Sequence, residues 1–226
     1  MCVASAHAIR VPPRKTPAVF AIMKPPIDKG AGKSLPTRGD LDHCRRCGLW
    51  ERATQGVPGT GPSNARMLFV GEQPGDDEDR QGLPFVGPAG QLLRLLMAKA
   101  DIDVRQVFLT NAVKHFGWEP RGKRRMHKTP GQREMEACHV WLEAELMHVQ
   151  PKVVVALGVT ALSALLRRRL TLRAARTMKL VLPEGIPLVA TYHPSALLRA
   201  PDAEARGELE AALLADLRRA AAIAGH

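Results

Sequence analysis

The sequence lacks the features that secretion or membrane insertion requires. Only four cysteines occur among its 226 residues, which excludes a disulfide-stabilised secreted scaffold. Uninterrupted apolar runs such as 153–157 are far too short to cross a bilayer. The first residues show no charged segment followed by an apolar one, so they do not read as a signal peptide. We therefore expect a cytoplasmic protein.

Acidic residues are also scarce. The chain carries 22 Asp and Glu against 33 Lys and Arg, a formal net charge of +11, and its pI is about 10.1. A protein this basic is expected to bind a polyanion, most commonly nucleic acid, and DNA binding would place it at the nucleoid. Apolar residues make up 45% of the chain and charged residues 24%, a balance that predicts a folded globular domain.

Residues 1–40 differ in composition from the rest of the chain. They contain six prolines and seven Lys or Arg against two Asp, with no periodic spacing of apolar residues. Such a segment cannot bury enough apolar surface to offset the entropy that is lost on ordering. We expect a flexible basic arm over 1–40 and one folded domain over 41–226.

Within the domain, short apolar runs alternate with helical patterns. The strand-like runs are 66–70, 107–110, 152–157 and 188–191. The helical patterns are 88–100, 129–149, 159–166 and 203–222. The second helix is expected to begin with Thr129 as its N-cap, in a capping box with Gln132. The alternation predicts an α/β fold, a three-layer αβα sandwich with a central, mainly parallel four-stranded sheet. Residues 167–187 show no clear pattern.

Small, polar or titratable residues follow each predicted strand. The first strand leads into the glycine-rich loop 71–90, and the second ends at Asn111. The third is followed by Gly158, and the fourth by His193 and Ser195. Open α/β sheets bind ligands at the edge where the carboxyl ends of parallel strands meet, so we expect the active site there. Ordinary turn chemistry would also account for such residues.

The loop 71–90, GEQPGDDEDRQGLPFVGPAG, is the most distinctive local segment. Its glycines allow the backbone to approach a ligand closely. It lacks the G-x-G-x-x-G pattern of dinucleotide-binding loops. Phe85 lies among these glycines, either as an apolar plug or as a ring that stacks on a base.

Three segments together resemble motifs of the uracil-DNA glycosylase superfamily, close to its family 4. They are the loop GEQPGDDEDRQGLPFVG, TNAVKH at 110–115 and HPSALLR at 193–199. Two further features are similar to the UdgX branch, whose members bind uracil-containing DNA covalently through a histidine. Gln73 stands where family 4 usually has glycine, and a basic insertion, 122–128, follows the second motif. The resemblance covers about residues 41–220.

The resemblance implies an enzyme that removes uracil from DNA, preferably from single strands, where a base leaves the stack at the lowest cost. It implies that Gln73, Phe85 and Asn111 contact the base. Phe85 would stack on the flipped ring, and the amide of Asn111 would match O4 and N3–H of uracil. His193 would donate a hydrogen bond to uracil O2 and stabilise the departing base.

On the sugar side, the resemblance implies two carboxylates and a nucleophile. Glu72 and Asp76 would stabilise the positive charge of the sugar or orient the attacking group. His127 would attack C1′ and stay bonded to the abasic site, since a neutral imidazole is a competent nucleophile. Arg125 would also position the basic loop. The residues expected to bind DNA phosphates are Lys123, Arg124, Arg125 and Lys128.

A metal centre is the expected cofactor. Cys44 and Cys47 form a C-x-x-C pair, whose spacing alone is compatible with zinc, a redox pair or coincidence. Cys138 lies on the apolar stripe of a helix and by itself reads as a small buried hydrophobe. The resemblance implies instead a [4Fe–4S] cluster held by Cys44, Cys47, His115 and Cys138. Three cysteines and one histidine would also suit zinc.

Two other functions stay open at this point. One is a conventional family 4 enzyme that uses water and turns over many times. The other is a non-catalytic iron–sulfur module that binds nucleic acid. The sequence shows no long apolar seam of the kind that joins subunits, which favours a monomer.

Overall fold

Four apolar segments form parallel strands whose residues are almost all buried. β1 (Met67–Gly71) pairs with β2 (Val107–Asn111) on one side and with β5 (Val153–Leu157) on the other, and β5 pairs with β7 (Pro187–Thr191). The computed structural model that contains this sheet describes residues 34–225. Strands buried on both faces are typical of parallel sheets, which explains their near-continuous apolar sequences. The predicted α/β fold with a mainly parallel sheet is confirmed.

The sheet has five strands, so the predicted count of four is wrong. The fifth strand, β6 (Leu180–Val181), pairs antiparallel with β7 and gives the order β2-β1-β5-β7-β6. It lies within 167–187, where the sequence shows no clear pattern, because two paired residues are too few to establish an alternation. A separate two-stranded hairpin contains β3 (Trp118–Arg121) and β4 (Arg124–His127).

Helices cover both faces of the main sheet. In chain order they are α1 (Arg38–Asp42), α2 (Asp76–Gln81), α3 (Pro88–Lys99), α4 (Gln132–Val149), α5 (Val159–Leu166), α6 (Leu172–Thr177), α7 (Ser195–Leu198) and α8 (Ala203–Ala224), with 3₁₀ turns at Gly48–Glu51 and Val104–Gln106. Neighbouring residues of β1 face opposite sides: Leu68 joins a core with α4, α5 and α6, and Phe69 joins one with α3 and α8. The sheet is therefore the middle of three layers.

The start of α4 differs from the prediction. Its N-cap is Gly131, so the predicted N-cap at Thr129 is wrong. The reason is that Lys128 still belongs to the hairpin: its N–H donates to the carbonyl of Gly117 at 2.9 Å. The backbone reaches a helical conformation only after this last extended pair.

The folded part begins before residue 41. α1 crosses the predicted boundary between arm and domain, and the Thr37 side chain caps it by accepting from the N–H of Asp40. Leu35 also packs on the core. The expectation of a flexible arm otherwise concerns 1–33, which lie outside the described residues. Across 34–225, no helix combines the length and the apolar character that spanning a membrane would need.

The basic insertion forms the hairpin of β3 and β4. Gly122 adopts a positive φ of 59° at its turn, a conformation that glycine adopts without strain. The register pairs Trp118 with His127 at the base and Arg121 with Arg124 at the tip. His127 is therefore held at the end of the hairpin that joins the domain.

Candidate active site

The strand ends converge on a cavity of about 600 Å³, at the edge of the sheet where the sequence predicts the site. It is lined by residues of the loops after β1, β5 and β7 and by the ends of β2 and β4. Six of the predicted site residues line it together: Glu72, Gln73, Phe85, Asn111, His127 and His193. Asp76 is not among the lining residues.

A glycine at the end of β1 makes room for the two residues predicted to contact the base. A Cβ atom on Gly71 would overlap Oδ1 of Asn111 and lie 2.7 Å from the ring of Phe85. Both side chains are buried, with 4% of each residue exposed. Any side chain at position 71 would therefore displace the amide or the ring.

Phe85 is held in an unusual backbone conformation. Its φ is +57°, which costs a non-glycine residue on the order of 1 kcal/mol or more. A Cβ on Gly90 would overlap the carbonyl oxygen of Phe85, so glycine at 90 lets α3 pack beneath this strained turn. The Phe85 ring stacks with that of His193, with centroids 6.5 Å apart and planes at 28°. The loop thus fixes an aromatic wall of the cavity.

His193 is neutral, and its proton position follows from its neighbours. Burial lowers the pKa of His193 to about 4. The N–H of Ser195 donates to its Nδ1 at 3.2 Å, and the Ser195 hydroxyl lies 2.8 Å from the same nitrogen. A nitrogen that accepts a backbone hydrogen bond carries no proton, so the proton is on Nε2. The ring is a neutral hydrogen-bond donor.

Glu72 joins the nucleophile predicted on the hairpin to the body of the site. Its Oε1 lies 3.2 Å from Nε2 of His127, and its Oε2 accepts from the Thr160 hydroxyl at 2.5 Å. Burial opposes ionisation of Glu72, but the contact with His127 and the hydrogen bond from Thr160 outweigh it and lower the pKa of the carboxyl. At neutral pH Glu72 is therefore a carboxylate facing the imidazole.

Gln73 fastens the base of the hairpin. Its Nε2 donates to the carbonyls of Gly117 and Lys128 at 2.9 and 3.2 Å, and its Oε1 accepts from the N–H of Gly117. The amide lines the cavity, but its donors and its acceptor are engaged with the hairpin. A Cβ on Gly117 would lie 2.9 Å from Oε1, so glycine there permits the contact.

Arg125 holds the hairpin from its other side. Its guanidinium donates to the buried carboxylate of Asp79 at 2.6 Å and also pairs with Asp76. It lies over the rings of Phe116 and Trp118, 5.4 and 5.6 Å from their centroids. Only 15% of the Arg125 side chain is exposed, so the predicted phosphate contact has to compete with these partners.

Asp76 serves the same contact rather than the cavity. It is the first residue of α2, and its carboxylate pairs with Arg125 and with Arg80 at 2.9 Å. Burial raises its pKa less than the hydrogen bonds from Arg80 and Arg125 lower it. The expectation that Asp76 lines the sugar side does not match its position outside the cavity lining, because its carboxylate is paired with Arg125 of the hairpin and with Arg80 of its own helix.

The other predicted DNA-binding residues lie on the outer surface of the hairpin. Lys123 and Arg124 are exposed at its tip. Lys128 is exposed as well, and its Nζ pairs with Glu119 at 2.5 Å. Exposed ion pairs of this kind contribute little to stability, so Lys128 can exchange its partner for a phosphate at low cost.

The four predicted cluster ligands lie in one part of the fold. Cys44, Cys138 and His115 are buried, and Cys47 is partly buried. Burial, with smaller contributions from the neighbouring Cys47 and Cys44, raises the pKa of Cys138 to about 12. Burial also lowers the pKa of His115, and its ring bonds to the backbone of Leu41. Among residues 34–225, no group of three or more His, Cys, Asp or Glu is arranged to hold a metal ion.

Several polar contacts around the site were not predicted. Lys114 and Glu145 form a fully buried ion pair at 2.6 Å, and Lys114 also donates to Thr110 and to the carbonyl of Asn111. Nothing in the sequence marks a buried pair that lies 31 positions apart. Thr160 could have been found, because it follows a predicted strand at the same edge.

Comparison with known proteins agrees with this site. Residues 58–218 match the family described as the Uracil DNA glycosylase superfamily. The chain is 36% identical over 178 residues to a type-4 uracil-DNA glycosylase of Thermotoga maritima, which covers 78% of this chain and 87% of that protein. It is 34% identical over 181 residues to the type-4 enzyme of Pyrobaculum aerophilum, covering 75% and 86%. A type-5 uracil-DNA glycosylase of the same organism is 34% identical over 205 residues, covering 83% and 85%. The chain therefore belongs to the uracil DNA glycosylase superfamily.

Proposed function

We propose that this protein excises uracil from DNA and ends joined to it, through a covalent bond between His127 and C1′ of the abasic site. The observation that carries the proposal is the contact of His127 with Glu72, 3.2 Å apart, in the cavity that also holds Asn111, Phe85 and His193. The names of the type-4 relatives support the excision step. The imidazole on the hairpin supports the bond that follows, as in the UdgX branch that the sequence resembles.

The uracil base is recognised by hydrogen bonds to its edge and by stacking on its face. The Asn111 amide donates to uracil O4 and accepts from N3–H, a pattern that cytosine would invert. Phe85 stacks on the flipped ring. Burial of both side chains favours this reading, because an unpaired polar edge in a closed pocket costs binding energy.

His193 assists departure of the base. As the N1–C1′ bond breaks, its electron pair moves to the uracil and negative charge develops on O2. The Nε2–H of the neutral imidazole donates to that oxygen. Because the Ser195 N–H fixes the proton on Nε2, this donor is ready before the substrate binds.

His127 then traps the sugar. The broken bond leaves an oxocarbenium-like cation, and a ring nitrogen of His127 gives its lone pair to C1′. The new C–N bond leaves positive charge on the imidazole, which the Glu72 carboxylate stabilises, and the uracil anion takes a proton from solvent. Each bond and proton is thereby accounted for without attack by water.

DNA is held by the exposed face of the hairpin. Lys123, Arg124 and Lys128 bind phosphates on the strand that carries the uracil, and single strands are preferred because their bases flip at a lower cost. Arg125 instead positions the hairpin through its contacts with Asp76 and Asp79. The cavity is built from one chain, so a monomer is sufficient for the reaction.

We also propose that Cys44, Cys47, His115 and Cys138 hold a [4Fe–4S] cluster. The donor set suits it: Cys138 Sγ accepts from the N–H of Lys114 at 3.3 Å, and Cys44 Sγ lies 3.4 Å from Trp141 Nε1. Such N–H···S contacts are typical around cluster thiolates. The cluster would hold the segment after β2 against α4. Iron and sulfide analysis with visible absorption is expected to show the cluster, and zinc in its place would refute it.

A denaturing gel tests the function. The protein is mixed with a single-stranded oligonucleotide containing one uracil, beside the same oligonucleotide with thymine. A band that survives heat and detergent, and only with uracil, supports the adduct. Abasic product without that band would indicate the second candidate, hydrolytic turnover, which the names of the type-4 relatives favour. Intact DNA would refute both and leave the non-catalytic module.

The nucleophile is tested by His127→Ser. This variant is expected to lose the stable band while it still binds uracil-containing DNA. Serine leaves space beside Glu72 for water, so abasic product is expected to accumulate. An adduct that persists in His127→Ser would place the nucleophile elsewhere.

A further inference from the structure

Thr160 lies directly beneath the carboxylate that faces the nucleophile. It is the second residue of α5, which begins after the turn at Gly158, and it is 7% exposed. Its hydroxyl donates to Oε2 of Glu72 at 2.5 Å. Threonine is β-branched and has few rotamers in a helix, so this hydroxyl is positioned by the fold.

The two carboxylate oxygens of Glu72 therefore make different contacts. Oε2 is occupied by Thr160, whereas Oε1 is enclosed and meets His127 Nε2 at 3.2 Å. Oε1 is buried and has no hydrogen-bond partner among residues 34–225, so its contact with His127 Nε2 is a close polar contact rather than a formed hydrogen bond. Without the hydrogen bond from Thr160, the Glu72 carboxylate would be free to rotate about its Cγ–Cδ bond and turn Oε1 away from the imidazole of His127.

The geometry points to Thr160 as a positioning residue for reaction at C1′: its hydroxyl orients Glu72 so that Oε1 faces His127 while charge develops on that ring. This inference rests on the proposed function. No bond to Thr160 forms or breaks, and its proton stays on the hydroxyl oxygen. The ionisable groups that face Glu72 are His127 from β4 and His193 from the loop that follows β7.

Two substitutions separate the hydroxyl from the shape of the side chain. Thr160→Val keeps the branched shape and removes the donor, whereas Thr160→Ser keeps the donor. Thr191→Val is the matched control, because Thr191 is also buried near the site but its hydroxyl has no hydrogen-bond partner among the described residues. Far-ultraviolet circular dichroism and the thermal midpoint are compared first, so that only folded variants are scored.

The measurement is single-turnover adduct formation over a series of protein concentrations, with a uracil-containing oligonucleotide. Thr160→Val is expected to lower the maximal rate constant by about 10- to 100-fold, the loss that follows removal of a hydrogen bond to a charged group. The half-saturating concentration is expected to stay unchanged, since Thr160 is buried beneath Glu72. Thr160→Ser is expected to restore most of the rate, and Thr191→Val to leave it unchanged.

Two results would overturn the inference: a normal rate in Thr160→Val, or equal losses in Thr160→Val and Thr160→Ser. If the wild-type protein releases abasic DNA and forms no adduct, the covalent proposal fails by itself. The same Thr160 pair is then scored on the rate of base release, where Glu72 faces water instead of His127 and the same pattern is expected. Absence of any reaction in the wild type overturns both.

Discussion

Replacement of Arg125 by alanine tests how the hairpin is held over the site. Arg125 lies two residues before His127 on β4 and donates to the buried carboxylate of Asp79 at 2.6 Å. A hydrogen bond to a charged group contributes about 1.5–3 kcal/mol. If that energy keeps the hairpin closed, its loss reduces the closed fraction and slows adduct formation by about 10- to 100-fold.

Arg124→Ala is the matched control for this experiment. It removes the same charge from the adjacent residue, which is exposed at the hairpin tip. We expect weaker binding to single-stranded DNA, with the slope of log K against log salt reduced by about 0.7, and an unchanged maximal rate. Arg125→Ala is expected to show the reverse: a lower maximal rate and an unchanged slope.

The assay is adduct formation with excess protein at several salt concentrations, together with equilibrium binding to DNA that lacks uracil. If Arg125→Ala changes the salt slope by about 0.7 and leaves the maximal rate intact, Arg125 is a phosphate contact. The positioning role assigned to it would then be wrong.

Three further predictions concern pH and stability. Burial lowers the pKa of His193 to about 4, so as the pH falls the unfolded chain takes up the proton before the folded protein does. The wild type is therefore expected to lose stability relative to His193→Gln between about pH 6.5 and 4. A stability difference in urea unfolding that stays constant over this pH range would contradict this expectation. Gly90→Ala is expected to destabilise the loop by steric overlap, whereas Gly207→Ala, on an open helix surface, raises stability by about 0.5–1 kcal/mol in thermal unfolding. Lys114→Met leaves the Glu145 carboxylate buried without its partner and is expected to lower the free energy of unfolding by about 3–5 kcal/mol. The loss is expected to be smaller when Lys114→Met is combined with Glu145→Gln. Equal losses for the single and the double variant in urea unfolding would refute the ion-pair account.

The position of the site was predictable because it follows from chain topology. Parallel strands end at the same edge, so Asn111 and His193 had to meet the loop after β1 wherever the intervening helices lay. The apolar runs of these strands are buried on both faces and stand out in the sequence. These two facts bring most of the site together without any knowledge of side-chain geometry.

Short and long-range features were not predictable in the same way. β6 has two residues and forms only because β7 offers an unpaired edge. The start of α4 depends on the pairing of Lys128 with Gly117 in the hairpin, which overrides the local capping preference of Thr129. Asp76 faces Arg125 because a guanidinium lies 49 positions away in sequence but beside it in space. Such partners become visible only when the chain is folded.

The hairpin of β3 and β4, which carries His127, forms no backbone pairs with the five-stranded sheet. The polar contacts that attach it include those of Gln73, Arg125 and the Trp118 indole, and none of its residues belongs to the two apolar cores. A change in this hairpin can therefore leave the buried layers of the sheet and the residues at its strand ends in place. On the proposed chemistry, the abasic DNA is either released after hydrolysis or stays bonded to His127. The small hairpin that carries His127 is enough to decide which of the two outcomes occurs.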